Sequence, residues 1–488
     1  MGSALRRVAA AVLAAYGASA LPVAAHAAAA VDFAQIDRVL EANHRQMRMP
    51  GMAMVIVQGD QIVYRRGVGR ADQSGRPLTA GTPMTIASIS KPITATAVMQ
   101  LAEQGKLALD APVTRYIPWF RLGSTEGGAG VTVRHLLSQT GGIPQQAGHP
   151  LMSDPQIDLE QAARDLPRYG TAGAPGERFV YANSNFAVLG LLVETVAGRT
   201  YEQYVREHIL EPLGMTQTYF TEAEARTAGM AQGNTASALG ISRPVDLRFI
   251  PQATPYFQLV STAEDLARFT VPFLNQGRSG DVQLLSPESV KAMLRAYRPG
   301  NPYGLGWWVD TFHGVPAASH GGDAWGFRHE LVMLPDQGWA VILLTNENSG
   351  RTASMHVSQL AWSVTGMLLD GSGVSRGAWT RVGAGLVMLV LLVLLLAWLA
   401  LLAAGRARVA QGILGPLAGL WLPGAASVLI GGVMLWLGPR WFAQASWAVG
   451  LPYHPGSVWA GLGWSVSMLL SGTVHITLPW LSRLLQRG

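Results

Sequence analysis

The 488-residue chain has no cysteine, so it holds no disulfide framework, no thiolate metal site and no cysteine nucleophile. Lysine is almost as scarce. Of 36 lysines and arginines together, only Lys91, Lys106 and Lys291 are lysines. The formal net charge of +6 comes from scattered arginines without a basic run, and zinc-finger and RNA-recognition signatures are missing, so nucleic acid is not an expected partner. Internal repeats are missing as well, and neither a metal nor a cofactor is expected. What the chain does have is core-forming material: 49% of its residues are hydrophobic, enough for one large domain or two.

One of the rare lysines stands in a chemically suggestive place. Thr85-Ile86-Ala87-Ser88-Ile89-Ser90-Lys91-Pro92 leads into an apolar run, Ile93, Ala97, Val98, Leu101 and Ala102, at helical spacing, with Gly105 as a C-terminal stop. A helix is therefore expected to begin near Ser88. Residues three apart share a helix face, so the Lys91 amine can reach the Ser88 hydroxyl, and the helix N-terminus favours an alkoxide there. Lysine is also the basic side chain that burial can neutralise into a proton acceptor. A serine is equally a common helix cap, so S-x-x-K alone does not identify a nucleophile.

Along the chain, Arg6 and Arg7, an Ala/Val/Leu-rich stretch and the small-residue site Ala25-His26-Ala27 read as a signal peptide over residues 1–27. A hydrolase-sized domain is expected over 31–370. It opens with a helix at 31–48 and a hairpin of strands 52–57 and 61–64 around Gly59-Asp60. Helices are expected at 111–118, 133–137, 159–166, 186–196, 201–210, 265–275 and 288–297, strands at 303–309, 315–320, 329–334 and 339–345, and a closing helix at 354–369. Strands at both ends with helices between them give an α/β domain, an antiparallel sheet flanked by helices with a large helical insert. Residues 371–488 differ in kind. Apolar stretches at about 382–404, 413–438 and 459–478 lack Asp, Glu, Lys and Arg, and the first, about 34 Å as a helix, is long enough to cross a bilayer. Three transmembrane helices are expected, with a lipid bilayer as partner and the preceding domain on the extracytoplasmic side of the inner (cytoplasmic) membrane.

A serine beside a lysine needs a second proton-transfer group and donors for the oxyanion. Tyr181-Ala182-Asn183, after the loop 173–176, offers a phenol and an amide. Ser319-His320-Gly321-Gly322-Asp323 offers glycines that let a ligand approach the backbone.

Taken in order, Ser88-x-x-Lys91, Tyr181-x-Asn183 and His320-x-Gly322 resemble the motifs of the penicillin-recognising serine hydrolases, specifically the class C beta-lactamase-like group with its esterases, D-aminopeptidases and D-alanyl-D-alanine carboxypeptidases. Further stretches match that group: Ser138-Gln139-Thr140-Gly141-Gly142, Tyr303-Gly304-Leu305-Gly306-Trp307 and Leu344-Thr345-Asn346. The resemblance implies an acyl-enzyme mechanism in which Ser88 attacks a carbonyl, Lys91 and Tyr181 handle its proton, and the backbone N–H groups of Ser88 and Asp323 hold the oxyanion. It also implies substrate contacts from Asn183, His320, Gly322 and Asp323. Which of Lys91 and Tyr181 is the base stays open. His320 departs from the lysine of true class C beta-lactamases, where a fixed cation meets the substrate carboxylate. The C-terminal spans add a similarity to membrane-anchored prodrug-activating peptidases of the colibactin-maturing kind. The expected function is a membrane-anchored hydrolase of amide or ester bonds, acting on a small peptide with a D-residue. An esterase, a beta-lactamase and a penicillin-binding sensor without turnover are the alternatives, and the oligomeric state is left open.

Overall fold

The computed structural model describes residues 31–371, apart from 124–129, 149–155, 237–241, 247–248 and 350. The expected signal peptide and the three expected spans lie outside the described residues. Among the described residues no helix is long and apolar enough to cross a membrane.

Helix α1 (Phe33–Met47) buries Ile36, Leu40 and Met47 together with Asn43, whose amide donates to Val39 O, in the amphipathic pattern of a helix laid on a sheet. Pro50 ends that run. The hairpin β1 (Gly51–Gln58) and β2 (Gln61–Gly69) follows, turning at Gly59-Asp60, where Gly59 takes φ 61° as a two-residue hairpin loop demands.

A helical lobe comes next: α2 (Ser90–Glu103), α3 (Val133–Leu137), α4 (Leu159–Asp165), α5 (Asn183–Ala197), α6 (Tyr201–Val205) and α7 (Glu222–Thr227). Their ends follow local chemistry. Thr132, Thr200 and Thr221 each close a capping box, and Gly198 ends α5 in the left-handed conformation. After α8 (Ala263–Leu274), capped by Thr262, and α9 (Pro287–Met293), the chain returns as β3 (Trp308–Phe312), β4 (Val315–Ala324), β5 (Phe327–Leu334) and β6 (Trp339–Thr345), and closes with α10 (Arg351–Asp370).

The six strands form one antiparallel sheet in the order β2-β1-β6-β5-β4-β3. Its centre joins the first strand to the last, with Met52 opposite Thr345 and Gln58 opposite Trp339. Strands β5 and β6 are buried along their whole lengths because both faces are covered. Ala53, Val55, Val57, Leu331, Met333, Ile342 and Leu344 join the large core shared with α8 and the lobe. Helices α1 and α10 pack on the other face, where α10 buries Val357, Leu360, Ala361 and Val364. The expected sheet with its helical insert is present.

Several expected elements differ in extent. Residues 111–118 hold only the 3-10 turn Val113–Arg115. Strand β3 starts at Trp308 rather than at 303, because the chain first folds back on itself, Gly304 N donating to Trp307 O (2.8 Å) with Gly306 at φ 89°. The helix expected to reach 297 stops at Met293. Strand β4, by contrast, runs four residues past 320, so His320, Gly322 and Asp323 lie within the sheet.

Candidate active site

Ser88 occupies a 3-10 turn, Ala87–Ile89, that feeds directly into α2. The turn is forced into shape by its neighbours. Thr85 pairs with Val260, Ile86 N donates to Leu259 O (2.8 Å), and Ser90 Oγ donates to Ala87 O (2.7 Å). Ala87 takes φ 50°, a conformation costing an alanine on the order of 1–2 kcal/mol, so backbone strain sits immediately before the serine.

Lys91, in the first turn of the helix and three residues on from Ser88, is fully buried, and its Nζ lies 2.8 Å from Ser88 Oγ and 2.9 Å from Tyr256 O. Tyr256 belongs to a single π-helical turn, Thr254–Gln258, so one segment supports both the Ser88 turn and the lysine. Burial pushes the Lys91 amine well below the ordinary lysine value, and no acidic partner opposes that shift.

Tyr181 approaches from the stretch before α5. Gln139, itself at φ 58°, fixes that stretch: its backbone oxygen accepts from Val180 N (2.8 Å), and its side-chain Oε1 accepts from Ala182 N (3.0 Å) and Asn185 Nδ2 (2.6 Å). The Tyr181 ring stacks on Trp308, with centroids 5.7 Å apart and planes 10° apart, and meets Tyr303 edge-on at 6.2 Å. Lys91 Nζ stands 4.9 Å from its centroid. Burial raises the Tyr181 phenol above its usual range, a hydrogen bond with Ser88 partly offsets this, and the Asp323 charge adds to the rise. Asn183 opens α5, half-buried, against Gly148.

The third wall is β4. Strand β3 pairs with it only as far as Ser319, and residues beyond that point run alongside the Ser88 turn. Gly322 shows how closely: a Cβ there would lie 2.3 Å from Ile86 O. Asp323 is exposed and its Oδ1 accepts from Asn348 Nδ2 (2.5 Å). His320 is buried, with Nε2 2.9 Å from the Tyr303 hydroxyl and Nδ1 2.9 Å from Gly321 O. On β5, His329 Nε2 reaches Thr85 O (2.7 Å) and its Nδ1 accepts from Thr345 N (3.2 Å), tying the sheet to the strand before the nucleophile turn. Among the described residues no group of His, Cys, Asp and Glu is arranged to hold a metal ion.

The structure thus gathers Ser88, Lys91, Tyr181, Gly322 and the 320–323 strand around one point. The sequence profile of the beta-lactamase family matches residues 36–361. The chain belongs to the beta-lactamase family. Protein flp of Staphylococcus aureus (strain MW2) is 26% identical over 329 residues, 64% of this chain and 63% of that one, so the chain spans just under two thirds of that relative. Esterase EstB of Burkholderia gladioli is 36% identical over 205 residues, 39% of this chain and 52% of the esterase. Among solved structures, an octameric penicillin-binding protein homologue from Pyrococcus abyssi superposes with a TM-score of 0.60 at 28% identity, covering 69% of this chain and 77% of that one. The D-alanine carboxypeptidase AmpC of Burkholderia cenocepacia shares the fold, with a TM-score of 0.54 at 23% identity over 65% of this chain and 95% of its own. The beta-lactamase-like α/β fold and membership of a serine hydrolase family follow.

Sequence reading missed four parts of this beta-lactamase-family site: Tyr256 O, the Gln139 bridge, Trp308 and the Tyr303–His320 bond. Gln139 and Tyr303 stood inside family-like stretches, which was the available signal. A backbone carbonyl such as that of Tyr256 leaves none.

Proposed function

We propose that this chain is an extracytoplasmic serine hydrolase that cleaves amide or ester bonds through an acyl-enzyme on Ser88. The observation that carries the reading is the buried Lys91 amine, 2.8 Å from Ser88 Oγ and without an acidic partner to hold it charged. A neutral amine accepts the Ser88 proton as the hydroxyl oxygen attacks the substrate carbonyl. Tyr181, whose phenol stays protonated, is suited to pass a proton to the leaving group, and Lys91 returns one to close the cycle. The division of labour therefore favours Lys91 as base. The backbone N–H groups of Ser88 and Asp323 are the candidate oxyanion donors, since the tight approach of Gly322 to Ile86 brings the strand against the turn. Asn183, His320 and Asp323 surround the substrate position, with His320 acting from beneath the surface.

A small peptide with a D-residue is the proposed substrate, and the relative named as a D-alanine carboxypeptidase supports it. The relative named as an esterase supports ester cleavage as the second reading. The leader-like residues 1–27 and the charge-free apolar runs beyond residue 381 support an export signal and a three-helix anchor in the inner membrane.

The test is to label the purified full-length chain with a fluorophosphonate and with a fluorescent penicillin, in wild type and Ser88→Ala, and then to profile D- and L-aminoacyl amides and simple esters. Labelling that depends on Ser88, followed by turnover, is expected. A folded wild type that takes no fluorophosphonate refutes the hydrolase, and labelling without turnover points to a sensor.

A further inference from the structure

His320 is only 1% exposed, yet its ring centroid lies 6.5 Å from that of Tyr181, and it begins the part of β4 that leaves β3 behind. Both ring nitrogens are engaged. The Gly321 carbonyl can only accept, so Nδ1 carries the proton. Nε2 is then the lone pair, and the Tyr303 hydroxyl at 2.9 Å must be its donor. Two hydrogen bonds therefore specify one neutral tautomer.

Turning His320 into a cation would require Tyr303 to swing its proton away within a buried aromatic cluster of Phe179, Tyr181 and Trp308. It would also set a positive charge beside the basic side chains of Lys91 in α2 and Arg328 in β5. Burial above all, with the neighbouring basic groups of Lys91 and Arg328 and against the opposing Gly321 carbonyl, pulls His320 down to about 3. The titratable groups around it are thus Lys91, Tyr181 and Tyr303 on its own side of the sheet and Arg328 across it, with Asp323 exposed on its own strand.

We infer that Tyr303 is a positioning residue that sets specificity: by donating to His320 Nε2 it withholds a cation from the strand edge beside Ser88, tuning the site to substrates that lie there uncharged and against those that bring a carboxylate. Asp323 works in the same direction, since a carboxylate approaching this edge meets a like charge. The inference rests on the Ser88 hydrolase reading and narrows it toward amidase, aminopeptidase and esterase substrates, away from those recognised by a free carboxylate.

A matched pair of depsipeptides tests it: phenylacetyl-glycyl esters whose leaving group is 3-hydroxybenzoate or its carboxamide. The full-length chain in detergent should show a higher kcat/KM for the carboxamide, with a ratio that stays flat from about pH 8 to about pH 5, because His320 remains neutral throughout. In Tyr303→Phe Nε2 loses the donor that occupies its lone pair, so its proton affinity rises against the burial that remains, and the ratio should move toward the carboxylate as the pH falls toward about 5, by about two- to fivefold and mainly through KM. Adding His320→Gln should remove that movement. A wild type that prefers the carboxylate, or a labelled, folded Tyr303→Phe whose ratio never departs from wild type, overturns the inference. If Tyr303→Phe does not fold, the wild-type ratio and its pH profile decide. Loss of fluorophosphonate labelling in wild type would instead refute the hydrolase reading and this one with it.

Discussion

Two basic side chains are buried on opposite sides of the central sheet, and they have opposite fates. Arg328 of β5 turns toward α10, where it meets Glu330 Oε2 (3.0 Å), Ser358 Oγ (2.7 Å) and the Gly322 carbonyl (3.0 Å). Lys91, on the lobe side, meets only neutral groups in Ser88 and Tyr256. Glu330 pairs with the first and makes it structural. Burial without such a partner makes the second a neutral amine and hence a base. The protein therefore separates the ionic work of holding the sheet from the proton transfer proposed at its edge.

Replacing each cation by methionine should break or sharpen that contrast most strongly. Lys91→Met is expected to lower kcat/KM by about a thousandfold or more while raising Tm at neutral pH, since it removes an uncompensated buried amine. Arg328→Met should do the reverse, costing about 3–5 kcal/mol of stability by stranding Glu330, with Ser88 still labelled in the fraction that folds. Thermal unfolding and fluorophosphonate labelling read both, and parallel behaviour of the two variants would end the comparison.

Neighbouring glycines of β4 sharpen it next, because successive residues face the two sides. A Cβ on Gly322 would strike the Ile86 carbonyl at 2.3 Å, whereas one on Gly321 meets the movable guanidinium of Arg328 at 2.7 Å. Gly322→Ala should therefore lose about 1–3 kcal/mol and most of its activity, and Gly321→Ala distinctly less of both, as measured by denaturant unfolding and ester turnover.

The pH dependence of stability gives a smaller effect with a fixed sign. Lys91 has a folded pKa below its unfolded value, so the unfolded chain binds more protons between the two, and stability rises with pH through that window. The Tm advantage of Lys91→Met should accordingly be largest in acid and fade as the pH approaches the ordinary lysine value of 10.5. His320 and His329, both held near 3 by burial, act in the same sense lower down. Stability should fall as pH drops below 6.5, by up to about 1.4 kcal/mol per unit for each, and His329→Asn should flatten the slope. Smallest of all, Trp308→Ala should cost about two- to tenfold in kcat by unseating the stacked Tyr181, with little change in Tm.

Much of the lobe side was legible in the sequence, and little of the α10 side was. Ser88 and Lys91 announce themselves because a three-residue spacing on a helix has one geometric meaning, and Tyr181 and Gly322 followed from the family resemblance. The strands at 52–57 and 339–345 were legible because they are unbroken apolar runs. Arg328 was not, because a basic residue in a strand reads as solvent-facing until a helix from the far end of the chain is laid over it. Strand β3 was misplaced because the bend at Gly304 and Gly306 is decided by contacts with Leu137 and Met293, distant in sequence. Lys91 was read as a candidate base from its scarcity; its neutrality came only from the packing around it.

The pairing of Met52 with Thr345 carries a consequence for how the molecule is made. Strand β1 leaves the ribosome early, yet one of its two edges stays open until the far end of the domain has been synthesised. An apolar strand, buried over residues 51–57 in the finished sheet, is a template for wrong partners while its edge is unfilled, and long-range closure of this kind is slow. The sheet is therefore completed from both ends of the domain at once, because β1 gains its second neighbour only when β6 has been made.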